Sequence, residues 1–418
     1  MALIHAGIDD TDSKRGMCTT YVGAVALRRL EGMAEPVGYP KLIRLNPNCP
    51  YKTRGNCSIG FTLRTGEPGR VKRVVLQTVE ELSEKEEGTE PGVAFLEGEV
   101  PPALREFSKR VVREMVELEE AERLAREIGA EVHKFGGGRG IIGALAAIGH
   151  PLEDFTYELL TYRRREWWGR PRRVDPGSVW EADRRTFPRT FDNLDPTTGE
   201  IRITPHTPCP VLYGIRGVSP EAVLEAHQLV KSLEPVDFYI IFKTNQATDE
   251  HLIKVRRLSE IRPLMSVIAE GRVSREPRVI AGGHVIFGLT DGESEVDCAA
   301  YEPTRGFRRI VLSLKVGDRV RVFGAAKQRG GLPLTVNLEK LEVLELAKVY
   351  RKLNPVCACG KRMKSEGKGK GYSCPKCGRR AGPGSERLVE VERELAPGLY
   401  EVPPRARRHL SMPLARVY

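Results

Sequence analysis

Leu3-Ile4-His5-Ala6-Gly7-Ile8-Asp9-Asp10-Thr11-Asp12-Ser13 is the stretch that decides the N-terminal fold. Its first half alternates into a short strand, the polar run from Asp9 ends that strand, and Met17 to Leu30 repeats apolar residues at helical spacing. Strand, polar turn and helix predict an α/β unit with three carboxylates at a strand's end. Asp9, Asp10 and Asp12 repel one another unless a cation neutralises them, and magnesium bridging phosphate oxygens suits such a set. A solvated Asp-rich turn capping the next helix is the competing reading. Cys18, Thr19 and Thr20 follow within one turn, so a thiol or hydroxyl nucleophile can stand beside that metal; a buried Cys and two ordinary helix threonines is the alternative.

Outward from this turn, strands are expected at Tyr39 to Leu45 and Cys57 to Arg64, joined by the polar loop Asn46 to Asn56. Helices are expected over Val71 to Glu86 and, as one long element, over Pro102 to Ile128. Phe135 to Gly149 is a glycine-rich loop entering an apolar helix, which serves either an anion or close helix packing. Val211 to Gly214, a helix from Ser219 and Phe238 to Lys243 give a βαβ order that fits half of a ferredoxin-like fold. Five strands then suit an OB-type barrel: Val267 to Val273, Val279 to Leu289, Val296 to Ala300, Arg319 to Ala325 and Leu334 to Val343.

Lys52, Arg54 and Arg139 are candidates to clamp triphosphate oxygens, or else surface ion pairs. Cys357-Ala358-Cys359 and Cys374-Pro375-Lys376-Cys377 lie 14 residues apart and read as a structural zinc ribbon. The single residue between Cys357 and Cys359 departs from the usual two. Trp167 and Trp168 among arginines suit base stacking and phosphate contact, or core anchoring.

The chain has 418 residues, which suggests about three domains, and a 40% hydrophobic, 29% charged composition that excludes a long disordered tract. Apolar runs such as Ile141 to Ile148 fall short of the roughly 20 residues of a membrane span, and Met1 to Gly7 carries no basic n-region. A cytoplasmic protein is expected. Nine scattered Cys favour reduced thiols and one metal site over a disulfide framework. The net charge is +11, and residues 351–418 hold 16 basic against 6 acidic side chains, while 163–189 hold 9 against 4. A basic tail and stripe predict a polyanion partner, and removal of 351–418 is expected to weaken that binding and flatten its salt dependence.

The whole resembles the archaeal isoleucine-tRNA 2-agmatinylcytidine synthetase family, nearly end to end. The resemblance rests on Gly7 to Ser13, Gly16 to Tyr21, Arg44 to Asn48 with Lys52 to Asn56, Gly138 to Gly149, Val211 to Gly217, Phe242 to Gln246 and the four-Cys module. It implies an α+β multidomain chain: an ATP-binding kinase-like domain (1–190), a ferredoxin-like domain (191–262, with earlier elements admitted), an OB-fold (263–348), and a zinc ribbon with a basic tail (349–418).

The implied reaction joins agmatine to the wobble cytidine of the CAU-anticodon isoleucine tRNA, cleaving ATP to AMP and phosphate. Cytosine's carbon-2 oxygen leaves poorly, so phosphoryl activation must precede displacement by the amine, which calls for ATP, magnesium and a flipped-out base in one pocket. Asp9, Asp10 and Asp12 would hold magnesium and phosphates, and Thr19 would be the autophosphorylated threonine. A dication wants carboxylates, for which Asp192 and Asp195 are candidates. Zinc, ATP and Mg2+ are the implied cofactors, with no obligate protein partner. A non-catalytic tRNA-binding module and a metal-dependent nuclease or phosphoesterase are the alternatives.

Overall fold

The computed structural model describes residues 1–85, 88–328 and 330–417. The N-terminal unit runs β1 (Ala2–Asp9), α1 (Thr19–Arg29), β2 (Glu35–Pro36), β3 (Lys41–Arg44), β4 (Cys57–Thr65), α2 (Pro68–Leu82), β5 (Gly92–Glu97), α3 (Pro102–Arg113), α4 (Leu118–Glu127), β6 (Glu131–Lys134) and α5 (Gly140–Gly149). Its strands order as β6-β5-β1-β4-β3, with β2 on β4. Because strand side chains alternate, Ile4, Ala6 and Ile8 pack with Val22, Val71 and Val75 of α1 and α2. The opposite face carries α3, α4 and α5.

All ten residues of α5 are buried, and the helix lies directly on the sheet. A Cβ added to Gly7 would stand 1.9 Å from the Ala144 carbonyl oxygen, and one on Gly60 would stand 2.6 Å from that of Ala147. Of the two readings of the glycine-rich segment, close packing is the one the backbone contacts require.

A second unit follows: β7 (Thr156–Arg163), α6 (Pro176–Thr186), β8 (Thr190–Phe191), β9 (Val211–Gly217), α7 (Pro220–Leu229) and β10 (Val236–Thr244). The order β10-β7-β9-β8, antiparallel throughout, is the complete ferredoxin-like βαββαβ arrangement. β7, α6 and β8 are the earlier elements that the sequence admits to this domain. β10 pairs in parallel with β3, so the two units share one sheet. The Asn245 side chain pins that seam: Arg44 N–H donates to its Oδ1 at 2.8 Å and its Nδ2 donates to Arg44 O at 3.1 Å.

β11 (Leu252–Lys254) leads into the barrel of β12 (Ser266–Val279), β13 (Val285–Thr290), β14 (Glu295–Ala300), α8 (Gly306–Leu312), β15 (Arg319–Lys327) and β16 (Thr335–Glu345). β12 pairs with both β13 and β15, and β14 runs parallel to β16, which closes the OB topology. The ribbon follows, its outer pair Val349–Leu353 and Arg387–Val391 enclosing three two-residue strands. The chain then returns to the barrel, where Gly398–Glu401 pairs with β16.

Three expectations need correction. Pro102 to Ile128 is two helices, and both halves pack against α5, so the apolar repeat runs on across the break. At that break Val116 is buried, while Asn46 N–H takes the carbonyl of Val111 near the end of α3 at 3.1 Å. The strand expected over Val279 to Leu289 is split: β12 continues to Val279 with two register shifts, and the turn at 281–283 precedes β13. The helix expected over Val71 to Glu86 starts earlier, at Pro68, and ends at Leu82; Glu86 lies outside the described residues.

Candidate active site

A cavity of about 500 Å³ lies where the two halves of the large sheet meet. It is lined by the end of β1, the first turn of α1, the loop between β3 and β4, the start of α5, one face of β7 and β9, the loop before β9 and residues 404–409. Asp9, Asp10, Asp12, Thr19, Lys52, Arg54 and Arg139 all line it.

The three carboxylates are differently held. Asp9 lies against α5, where a Cβ on Gly143 would stand 1.9 Å from its Oδ2. Burial, then the neighbouring Asp10 charge, pushes its pKa well above the carboxylate range. Asp10 has φ 55, and its Oδ2 accepts the Glu90 N–H at 2.8 Å; burial outweighs that bond and raises its pKa to about 6. Asp12 is paired with Arg54, whose Nε and Nη2 reach Oδ2 at 2.8 and 2.7 Å. The same guanidinium donates to Gly16 O at 2.8 Å, bracing the loop that enters α1. Among the described residues no Lys or Arg forms an ion pair with Asp9 or Asp10.

Thr19 is buried at the first turn of α1, and its Oγ1 accepts from the Thr11 hydroxyl at 3.2 Å. Burial raises the Asp12 pKa, while Arg54 first, and then hydrogen bonds from its own backbone N–H and from the Thr19 hydroxyl, pull it back down. Thr20 is turned to the Cys18 sulfur at 3.1 Å. Burial lifts the Cys18 thiol to about 11, so it stays protonated at neutral pH and is a poor nucleophile. Of the two nucleophiles weighed from sequence, the geometry favours a hydroxyl.

Arg139 stacks over Tyr51, 4.1 Å from its ring centroid, and Lys52 donates to the Pro47 carbonyl. The far wall carries residues that sequence reasoning did not select. Glu158 of β7 faces Arg216 of β9 in register, with Arg216 Nε 3.2 Å from its Oε1 and Arg44 Nη2 3.7 Å from Oε2. Arg216 sits in Val211 to Gly217, whose alternation places Tyr213 and Ile215 in the core and Arg216 toward the cavity; that alternation was the signal available. Asp192 lines the cavity but is ion-paired with Arg407, whereas Asp195 is fully buried and takes Arg405 at 2.6 Å. Arg172 donates to the carbonyls of Pro205, Thr207, Cys209 and Val211 at 2.7–3.0 Å, fixing the loop before β9.

Part of the expected basic surface is committed internally. In the stripe, the buried Arg163 forms a two-pronged pair with Glu234 at 2.6 and 2.8 Å, and Arg189 pairs with Glu225. Trp168 meets Tyr21 edge-on at 5.3 Å and donates to Arg163 O, which is an anchoring role. In the tail, Arg405, Arg407, Arg408 and Arg416 are all in ion pairs. The basic charge that stays exposed is at Arg164, Arg165, Arg170 and Arg173 of the stripe and on the ribbon, with eight basic residues against one acidic between 357 and 381. Removing 351–418 would therefore strip a wall of the cavity as well as the charge.

The Sγ atoms of Cys357, Cys359, Cys374 and Cys377 all lie within 4.8 Å of one another. A tetrahedral zinc with Zn–S of about 2.3 Å needs sulfurs about 3.8 Å apart, so this donor set fits the ion despite the short first spacing. Gly360 and Gly378, at φ 81 and 71, close the two knuckle turns in a conformation that L side chains resist. One zinc per chain is expected, and metal analysis of purified protein finding less than about half an equivalent would count against it.

Family models match each unit: the TiaS TCKD domain over 5–75, the TiaS FLD domain over 138–251, an OB-fold nucleic acid binding domain over 267–344 and the TiaS C-terminal zinc ribbon domain over 354–395. The isoleucine-tRNA 2-agmatinylcytidine synthetase TiaS of Methanosarcina acetivorans is 46% identical over 421 aligned positions, covering 98% of this chain and 96% of that protein. The crystal structure of a complex of TiaS with an isoleucine tRNA and ATP superposes with a TM-score of 0.92 at 43% identity, covering 100% of this chain and 98% of that one. That of a complex of TiaS with the same tRNA, AMPCPP and agmatine gives 0.89 at 41%, with the same coverage. With every unit matched in order and identity sustained over nearly its whole length, the chain belongs to the isoleucine-tRNA 2-agmatinylcytidine synthetase (TiaS) family.

Proposed function

We propose that this chain is the ATP-dependent ligase that installs agmatine on the wobble cytidine of the AUA-reading isoleucine tRNA. The observation that carries the reading is the cavity that gathers Asp9, Asp10, Asp12 and Thr19, in a chain whose family relatives have been solved with an isoleucine tRNA, ATP and agmatine. A non-catalytic tRNA binder would have no use for these costly buried carboxylates. The test is release of AMP from ATP by the purified chain, which requires both the CAU-anticodon tRNA and agmatine. A binding module releases none, and a phosphoesterase releases it without agmatine.

The N-terminal unit is then kinase-like. Asp9 and Asp10 would hold magnesium in this reading, with Asp12 of the same turn committed to Arg54, and their oxygens, in no ion pair with a Lys or Arg among the described residues, are the hard donors that ion prefers. Bound there, magnesium would neutralise charge on the transferring phosphoryl group. Asp12, oriented by Arg54, accepts the proton from Thr19 as that oxygen bonds the transferring phosphorus of ATP, while the P–O bond to the rest of the nucleotide breaks and the nucleotide leaves with that electron pair. Lys52 and Arg139 contact ATP or backbone phosphates. Asp192 and Glu158 are the carboxylates on the cavity wall for agmatine; Asp195 is not among the lining residues, holding Arg405 instead. Among the described residues no helix is long and apolar enough to cross a membrane, and a cytoplasmic location suits a tRNA substrate.

Magnesium binding has a pH signature. The folded pKa of Asp10, about 6, exceeds the unfolded value, so the folded chain holds a proton that the unfolded chain releases. Stability of the metal-free protein therefore falls as pH rises from about 4 to about 6 and stays lower above that window. Magnesium needs the ionised site, so it should raise the melting temperature at neutral pH and much less near pH 4.5. An equal rise at both pH values in a thermal-shift series would sink this assignment.

A further inference from the structure

The segment beyond the ribbon is a strap that touches every unit of the core. From its pairing with β16 it leaves the barrel at Glu401, and Arg407 pairs with Asp192 and Glu401. Arg408 reaches Asn48 at 2.9 Å and Glu339 of β16 at 3.2 Å. Ala247 N–H then donates to His409 O at 2.8 Å, and Thr248 and Asp249 N–H donate to Leu410 O at 3.1 and 2.8 Å. Leu410 is 2% exposed, in the core with Ile43, Leu45 and Leu152. Arg416 closes the strap on Asp154 and the carbonyls of Ala247 and Phe155.

This docking carries His409 to the cavity wall. Arg216 Nη2 donates to its Nδ1 at 2.7 Å, which leaves the ring proton on Nε2. The Nε2 edge faces the loop between β3 and β4, where a Cβ on Gly55 would stand 3.4 Å away. The groups around the ring are all cationic: Arg44 from β3, Lys52 from the loop and Arg216 from β9. Burial first, and then these charges, hold its pKa well below the usual imidazole value, so the ring is neutral and stays an acceptor.

We infer that His409 is a positioning residue for the ligation: held by the strap, its Nδ1 fixes the Arg216 guanidinium and through it the Arg216–Glu158 pair on the cavity wall. The inference rests on the proposed function for its kinetic readout. It also gives the chain order a purpose. The ribbon is inserted between the barrel and the strap, so the strap returns to line a site whose first carboxylate is Asp9.

The test uses the full chain. His409→Ala should lower kcat for agmatine transfer by about tenfold or more, with tRNA affinity within about twofold. His409→Asn, whose side-chain oxygen stands near the position of Nδ1, should recover activity to within about threefold of the original. An unaffected His409→Ala, an Asn variant no better than Ala, or a parallel loss of melting temperature and tRNA binding would each overturn the assignment. Spectra of nitrogen-labelled histidine, assigned with His409→Asn, give a readout independent of product formation. At neutral pH they should show an Nε2–H tautomer at His409; a protonated ring or an Nδ1–H tautomer overturns the inference even if the chain makes another product.

Discussion

Asp10→Asn is expected to cut phosphoryl transfer from ATP by about 10³-fold or more, about 4 kcal/mol of transition-state stabilisation, while tRNA affinity stays within about twofold. The substitution isolates charge. Asp10 sits at φ 55, a left-handed conformation that Asn tolerates as well as Asp. The Glu90 N–H, now 2.8 Å from Oδ2, keeps an acceptor in the amide oxygen. What disappears is the ionisable group of one of two carboxylates that no Lys or Arg among the described residues neutralises through an ion pair. In the proposed reading those carboxylates exist to bind a divalent cation against ATP, so losing one should leave the fold intact and the chemistry without its counter-ion. The protein should melt at the same temperature or higher, because a raised carboxylate pKa marks an ionised form that burial destabilises. Filter binding of tRNA at several salt concentrations, beside release of phosphate from labelled ATP, checks both halves. Transfer surviving within about tenfold would remove Asp10 from the metal site.

Periodicity alone made the core of the fold legible. The alternation in β1, the capped start of α7 at Ser219 and the turn-punctuated strands of the barrel each follow from local residue choice. Expectations failed where two elements shared one partner. The residues on both sides of 114–117 pack against α5, so the hydrophobic pattern has no gap at a place where the helix has one. α8 went unread because a seven-residue helix across the end of a barrel carries too few turns for its period to register.

The site divides along the same line. The acidic turn was conspicuous because three carboxylates within four positions repel one another, although a solvated turn capping the next helix was the competing reading. The opposite wall hides its chemistry in strands: Glu158 and Arg216 are each one polar residue in an otherwise ordinary strand, and only the register of β7 with β9 pairs them. Charge counting misled in the tail, since a sequence shows that Arg405, Arg407, Arg408 and Arg416 are basic but not that Asp195, Asp192, Glu339 and Asp154 lie opposite them.

In the proposed reading the chain is expected to take up a phosphoryl label from ATP and magnesium, and Thr19→Ala is expected to remove that label and with it agmatine transfer. Thr19 is the hydroxyl flanked by the needed groups: Thr11 donates to its oxygen at 3.2 Å, and the Asp12 carboxylate, braced by Arg54, stands ready for its proton. Thr20 is the internal control. It too borders the cavity, but it lies about 100° further round α1 and is paired with the Cys18 sulfur at 3.1 Å. Thr20→Ala should therefore keep the label, and Thr19→Ser, which restores a hydroxyl on the same rotor, should regain it. Stability is a poor explanation for any loss, since removing this buried hydroxyl, which accepts from both the N–H and the hydroxyl of Thr11, costs about 1–3 kcal/mol for each donor left unpaired, which a melting curve would register separately. Peptide mass spectrometry after incubation with ATP decides the matter: phosphate on Thr20, on Cys18 or on no residue of α1 would remove Thr19 from the reaction.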